Sequence, residues 1–470
     1  MLSLGPTQRV ALTVAASFFM VLLDSTILNT SLPNMAASLG VETLRLTLAV
    51  TVYPLASAAV MPSSGWVADR FGPRRSFIAG LVLFTLASAL CGFAQSLPQL
   101  VVARALQGIG GGLMMPIGRI LTIRRATKAE LLQATALVTW PALMAPVIGP
   151  AIGGYISTYI DWRWNFWLNV PLGLVALFIC SRVLPADPPA QSAPFDVKGA
   201  LLAALGSSAL LGGLEVAPHA AHLPHGELLA VALIAAAVVL IAVLRRHLQR
   251  AAQPLVRLEP FSVRTFSVAT LTGGVPFAMC LQATPFLLPL MFQIGLGWTA
   301  VQAGTMVLYY FLGNLLIKPA TTPLLRRFGF RPLMIGCSVV GGATIAACGL
   351  IDAQWPMVAM AVLLFLTGAA RSTQLTAQNT LMFADIGPAH RSSASTLSTV
   401  LQQLAGAFGI AVASTLLVVS STLSGHGGVQ QEDFARVFWL VGALAASCAV
   451  LFSRLPRDAG AEVSGHVRSA

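Results

Sequence analysis

Gly65-Trp-Val-Ala-Asp69-Arg70-Phe-Gly72-Pro-Arg74-Arg75 is a short charged connection between two apolar runs, each long enough to cross a bilayer. Its charges, Asp69, Arg70, Arg74 and Arg75, sit where a membrane-spanning chain turns round at a water interface. Gly65 and Gly72 permit close approach and positive φ, and Pro73 cannot extend the incoming helix. A reduced form of the string returns as Arg327-Phe328-Gly329-Phe330-Arg331, so Arg-Phe-Gly-x-Arg occurs twice, with Arg70 and Arg327 lying 257 positions apart. The recurrence is the first sign of two related halves.

The rest of the chain is as apolar as the runs flanking this loop. Of 470 residues, 56% are hydrophobic and 9% charged, against roughly 25% charged in soluble domains. A globular interior cannot hide that much apolar surface, so the surroundings must be lipid. Apolar windows fall near 10–31, 46–66, 76–95, 98–121, 133–157, 166–184, 199–217, 227–246, 266–290, 301–322, 332–351, 356–383, 392–422 and 435–454. The expectation is an all-α polytopic membrane protein with about fourteen transmembrane helices.

Charge sets the orientation. Of the 28 Lys and Arg residues, 21 fall on the side of the termini and even-numbered connections, and three (Arg45, Arg163, Arg436) on the opposite side. The positive-inside rule then puts both termini of this multi-pass protein in the cytoplasm. The net charge of +12 is dispersed over many short loops, which argues against a nucleic-acid partner. The six cysteines lie inside expected spans without metal spacing and read as packing residues. His219, His222 and His225 share one outer loop, but Pro224 interrupts it and no carboxylate completes a set, so no metal site is expected.

Few charges remain inside the spans, and they are the functional candidates. Asp24 sits at the end of span 1, followed by Asn29. In span 4, Arg104, Gln107, Gly108, Gly111 and Gly112 share one helix face. Spans 1 and 4 run in opposite directions, which puts Asp24 and Arg104 at similar depth and makes an ion pair, switched by protonation, geometrically possible. Span 5 carries Gly149-Pro150 and Gly153-Gly154, small residues suited to tight packing and bending. Span 12 sets Arg371, Gln374 and Gln378 along one face near mid-bilayer, and span 13 adds Gln402, a stripe expected to line an interior cavity. Arg371-x-x-Gln374 repeats Arg104-x-x-Gln107 at an offset of 267. The organisation is therefore 6 + 2 + 6: a six-helix bundle over 1–190, two inserted helices with flanking loops over 191–258, and a second six-helix bundle with a short tail over 259–470.

Together these motifs resemble the major facilitator superfamily, and within it the fourteen-span drug:proton antiporter branch (EmrB/QacA type), most closely MdtD-like multidrug exporters. Gly65-x-x-x-Asp69-Arg70-x-Gly72-x-Arg74-Arg75 resembles the family's loop between spans 2 and 3, and Arg104-x-x-Gln107-Gly108 its span 4 motif. Gly149-Pro150-x-x-Gly153-Gly154 resembles the end of its antiporter motif, where the chain has Ala136 and Ala145 in place of upstream glycines. The resemblance implies a major facilitator fold in a bacterial inner membrane, a conformational latch built on Asp69 and its arginines, and a part for Arg104 in proton coupling; the residues themselves make Asp24 the titratable candidate beside it. The second loop copy has Arg326 where the first has Asp69, so the latch is asymmetric.

The expected function is proton-coupled secondary efflux by alternating access, a multidrug or metabolite antiporter acting as a monomer on a small-molecule substrate and protons. The expected chain needs no cofactor and is not an enzyme. No Gly-x-x-x-x-Gly-Lys-Ser/Thr loop is present to use ATP directly. One deep acid against Arg104 and Arg371 favours, as the alternative, export of a specific organic anion or metal-carboxylate chelate over a cationic drug. A transport-silent membrane sensor or scaffold is the reading from a different class, and it would require a soluble signalling partner.

Overall fold

The computed structural model describes residues 5–123, 128–187, 194–217, 225–251, 254–387, 390–425 and 428–461. Apolar residues with no polar face and no water to satisfy the backbone leave the helix as the way to pair every N–H and C=O. Helix is what forms, with no strand among the described residues. Among the described residues fourteen helices are at least fourteen residues long, and each coincides with one of the apolar windows. They are α1 Pro6–Ile27, α2 Thr47–Val60, α3 Pro73–Phe93, α4 Leu97–Ile123, α5 Lys128–Tyr159, α6 Asn169–Val183, α7 Val197–Val216, α8 Gly226–Arg250, α9 Gly274–Leu290, α10 Ala300–Leu316, α11 Phe330–Cys348, α12 Met357–Ala384, α13 Arg391–Leu423 and α14 Gln431–Phe452. By length and composition, twelve stretches of described residues are able to cross a membrane, or thirteen when α10 is joined to the helix Lys318–Phe328, from which it is bent by 50°. That test therefore yields fewer than the fourteen spans expected. Pro319 at the start of the second piece explains the bend, since it has no N–H to continue the ladder.

Packing divides the helices into two sets. In the first, α1 packs on α5 and α6, and α4 on α2 and α3. In the second, α9 packs on α13 and α14, α11 on α12 and α14, and α10 on α12. Two pairs join the sets, α5 with α10 and α2 with α13. α7 and α8 form a hairpin whose α7 lies over the α2–α13 seam. α8 presents Leu228, Val231, Val238 and Val239 outward, the surface a lipid-facing helix shows. Five of the six cysteines are buried and Cys337 partly so, all as free thiols. His219 and His222 lie outside the described residues, and no metal-binding cluster occurs among the described ones.

The charged loop turns as its glycine demands. Gly72 adopts φ +91°, and a Cβ there would meet Asp187 Cγ at 2.2 Å. Asp187, from the end of the first set, caps the start of α3: the Arg74 and Arg75 amides donate to its two carboxylate oxygens at 2.7 and 3.2 Å. An anion at a helix N-terminus satisfies orphan amides and the helix dipole together.

Candidate functional site

Asp24 is 1% exposed, and so is Arg104. Arg104 Nη1 donates to Asp24 Oδ2 at 2.5 Å. The second carboxylate oxygen, Oδ1, accepts from Gln107 Nε2 at 2.8 Å and from Asn169 Nδ2 at 2.7 Å. Gln107 returns its carbonyl to Arg104 Nη1 at 2.6 Å and donates to Ser88 Oγ at 2.5 Å. Arg104 Nε donates to the Ala49 carbonyl at 3.3 Å, and its guanidinium lies 4.5 Å from the centre of the Tyr53 ring. α1, α2, α3, α4 and α6 each supply a member. A buried ion pair persists only when its remaining lone pairs and protons find partners, and here the carboxylate has three donors. The i, i+3 spacing of Arg104 and Gln107 lets both reach Asp24 from α4. Sequence reasoning found Asp24, Arg104 and Gln107 but missed Asn169, Ser88 and Tyr53; uncharged polar residues in an apolar span are common packing and hydrogen-bonding elements and carried no distinguishing signal.

Away from this enclosed pair, a cavity of about 1010 Å³ lies between the two sets. It runs from Gly65, Asp69 and Arg257 at the arginine-rich end to Gln282 and Arg371 in the interior. Gln402, Gln403, Thr399 and Arg119 also line it. Arg371 Nη2 donates to Gln282 Oε1 at 2.7 Å, while its Nε and Nη1 are buried without a hydrogen-bond partner. Of the residues expected in a cavity, Arg371 and Gln402 line this one. Gln378 borders a smaller pocket together with Gln402. Gln374 is fully buried with both amide atoms unpartnered, and Gln107 belongs to the Asp24 network. Asn29 lies at the other end, where its side chain donates to the Pro285 carbonyl at 3.4 Å.

That other end is closed by contacts between the sets. Gln293 Nε2 donates to the Thr30 carbonyl at 3.0 Å, and Thr47 Oγ1 lies 3.1 Å from Ser414 Oγ. Small residues make the crossing tight. A Cβ on Gly154 would meet the Ala300 carbonyl oxygen at 2.3 Å, and one on Gly304 the Pro150 carbonyl oxygen at 2.2 Å. Gly149 and Gly153 face α1 instead: Cβ atoms there would meet Thr26 Oγ1 at 2.3 Å and the Ile27 carbonyl oxygen at 2.2 Å.

In the charged loop, Gly65 and Asp69 line the cavity mouth, and Asp69 makes no ion pair among the described residues. Arg70 is exposed. Arg74 Nη2 donates to the Ser181 carbonyl at 2.6 Å, and Arg75 Nε stands 3.8 Å from Asp187. Arg74 and Arg75 are thus fastened within their own half, while Trp66 packs on Phe195 of the segment leading into α7, with ring centroids 4.7 Å apart.

Two helix sets around a cavity that is open at one end and sealed at the other are the architecture of a membrane transporter. The family model described as Major Facilitator Superfamily matches residues 14–410 and 270–468, and the chain belongs to that family. It is 34% identical over 450 residues to "Putative multidrug resistance protein MdtD" of Escherichia coli O6:K15:H31, covering 95% of this chain and 94% of the relative. It is 33% identical over 454 residues, with the same coverage, to the protein of that name from Citrobacter koseri. Among solved structures, the POT family transporter PepTSo matches with TM-score 0.70 at 12% identity, over 98% of this chain and 99% of that one. A D-xylose–proton symporter matches with TM-score 0.69 at 15% identity, over 96% and 98%. At such identities these two structures speak to the fold alone.

Proposed function

We propose that the chain is a proton-coupled secondary efflux transporter, a multidrug or metabolite antiporter of the bacterial inner membrane that works by alternating access. The carrying observation is the pairing of a one-ended cavity with a separate, fully enclosed carboxylate whose partners all belong to the first helix set. In this reading the arginine-rich end is cytoplasmic, both termini lie on that side, and the unit is a monomer. Its parts are the bundles 1–190 and 259–470 with the inserted pair 191–258 between them. Substrate enters the cavity from the cytoplasm and leaves after the two bundles rock, parting the contacts at Asn29, Thr30, Thr47 and Gly154 and closing the loop around Asp69.

Asp24 and Arg104 couple the proton. Protonating Asp24 removes its charge, ends the ion pair and leaves Arg104 as an uncompensated cation in a dry interior, which is costly. The five helices that meet at the pair then gain a reason to rearrange. Arg371 and Gln402 serve the substrate. Because Arg371 faces the cavity without a carboxylate, an organic anion is the second substrate reading.

Transport into and out of proteoliposomes under an imposed pH gradient tests this, with cationic dyes screened beside carboxylates. Wild type should move substrate against the proton gradient, and Asp24→Asn should abolish that coupling while the protein remains in the membrane. Coupling retained in Asp24→Asn would remove Asp24 from the mechanism, and absence of any gradient-driven flux in wild type would favour a sensor or scaffold.

A further inference from the structure

The two halves repeat four positions of the polar network at nearly equal offsets, with one residue type changed. Tyr53 and Tyr310 stand 257 positions apart, Arg104 and Arg371 267, Gln107 and Gln374 267, and Asp24 and Gln282 258. Each arginine lies over its own tyrosine, at 4.5 Å for Arg104 and 5.6 Å for Arg371. Each also donates to the residue at the Asp24 position, at 2.5 Å in the first half and 2.7 Å in the second. The difference is that this residue is a carboxylate in the first half and a neutral amide in the second.

The consequence is a charge left over on one side only. Arg371 has no ion pair among the described residues, and its Nε and Nη1 are buried without hydrogen-bond partners. The Tyr310 ring lies 5.6 Å from the guanidinium, and its hydroxyl donates to the Leu281 carbonyl at 3.5 Å. Gln374, one turn along α12, is fully buried with both amide atoms unpartnered, whereas Gln107 satisfies both of its own. Lys318, whose Nζ donates to Thr376 Oγ1 at 2.9 Å, is close enough to Arg371 for the two charges to repel. The first-half arginine is sealed at 1% exposure, while Arg371 and Gln282 line the cavity. Around them the lining carries Arg119 and Arg257 against a single acid, Asp69.

We propose that Arg371 and Gln282 form an anion subsite in which a carboxylate of the transported molecule takes the part that Asp24 plays in the first half. A carboxylate has the acceptor geometry that matches a guanidinium fork, and neutralising Arg371 in a low-dielectric site repays the cost of its burial. Gln282 is the specificity device: an amide orients the arginine without cancelling its charge, so the charge is kept for a ligand. The proposal rests on the transport reading for the word "transported" and on the repeat for everything else.

Benzoate binding to the full-length protein in nanodiscs, without any gradient, tests it by titration calorimetry at fixed ionic strength. Chloride and tetraphenylphosphonium serve as comparison ions. Wild type should bind benzoate, and Arg371→Gln should weaken binding at least tenfold. Gln282→Glu is the decisive variant. It installs the first half's carboxylate in the second, so it should also weaken benzoate at least tenfold while raising the melting temperature. Arg45→Gln, an exposed arginine at the closed end, should change the affinity less than twofold. Benzoate affinity unmoved by both Arg371→Gln and Gln282→Glu would overturn the subsite. Chloride competing as well as benzoate would overturn the carboxylate assignment, and tighter binding of tetraphenylphosphonium through the same residues would do so too. The two readings fail separately: benzoate bound through Arg371 with no pH-driven flux sinks transport, whereas flux without Arg371-dependent benzoate binding sinks the subsite.

Discussion

Arg104 tolerates burial because the carboxylate it faces is itself completed by Gln107 and Asn169. Removing one member of such a set leaves a charge or a polar atom stranded, so the costs should be unequal. Arg104→Ala should destabilise the protein by about 3–5 kcal/mol, the range for a buried ion left alone. Asn169→Ala should cost about 1–3 kcal/mol, the range for one lost partner of a buried polar group. The double variant Asp24→Asn/Arg104→Gln, which removes both charges, should be more stable than Arg104→Ala. Thermal unfolding in detergent checks the order, and equal losses for all three would mean the network is not coupled. Asp24 and Arg104 could be picked out of the sequence because an ionised side chain in an apolar run is costly and therefore rare. Asn169 is uncharged, and nothing in its apolar surroundings set it apart. Gln282 went unnoticed although the 257-residue spacing of the loop motif, applied to Asp24, lands beside it. A neutral residue advertises nothing until its charged counterpart is laid over it.

Among the elements, the α5–α10 crossing and the α7–α8 hairpin are held by different physics. α5 meets α10 through Gly154 and Gly304, each against a backbone carbonyl of the other helix. Even one methyl group has no room there, so Gly154→Ala should prise the closed end apart and shift the population away from this conformation. A cysteine at Gln402, lining the cavity, would then react several-fold more slowly with a water-soluble thiol reagent in inside-out vesicles, and unchanged labelling would show that the crossing tolerates the methyl. The hairpin is clasped at its base by polar contacts. Asp196 caps α7 through Gly199 N at 2.8 Å, meets His247 Nε2 of α8 at 2.7 Å and accepts from Leu255 N at 2.9 Å. Burial alone pushes the Asp196 carboxyl up, but the hydrogen bonds from Gly199, His247 and Leu255 together hold it below the usual carboxylate range. A depressed acid contributes stability that is complete above its unfolded value of about 3.9 and lost as pH falls through the lower folded value. The contribution of the Asp196 carboxylate itself should therefore be complete near neutrality and lost only in strong acid. Asp196→Asn should release the clasp at pH 7, speeding amide exchange of 255–257, which border the cavity mouth; unchanged exchange in that variant would deny the clasp. The helices themselves were readable from apolar windows, but the clasp was not, because its three members are far apart in sequence and carry no motif.

For the whole molecule, the cavity and the seal are two faces of one asymmetry between the ends. Lining residues come from both helix sets at the arginine-rich end, and inter-set hydrogen bonds gather at the opposite end. If the bundles rock as proposed, those bonds must break in every cycle, and a covalent bond in their place must stop it. Thr47 and Ser414 offer the position: their Oγ atoms are 3.1 Å apart across the two sets, and both side chains are buried. Cysteines there would bring their sulfurs close enough to bridge, provided the Cβ separation falls near the usual ~3.8 Å. Burial shields five of the six native thiols from the oxidant. Thr47→Cys/Ser414→Cys should bind a substrate that enters from the arginine-rich end as wild type does. Oxidation should leave that binding within about twofold while abolishing flux, and a reductant should restore the flux. Transport that continues through an oxidised, cross-linked closed end would rule out rocking about this seal. Loss of both binding and flux on oxidation would instead mean that the cavity is not the place where substrate waits.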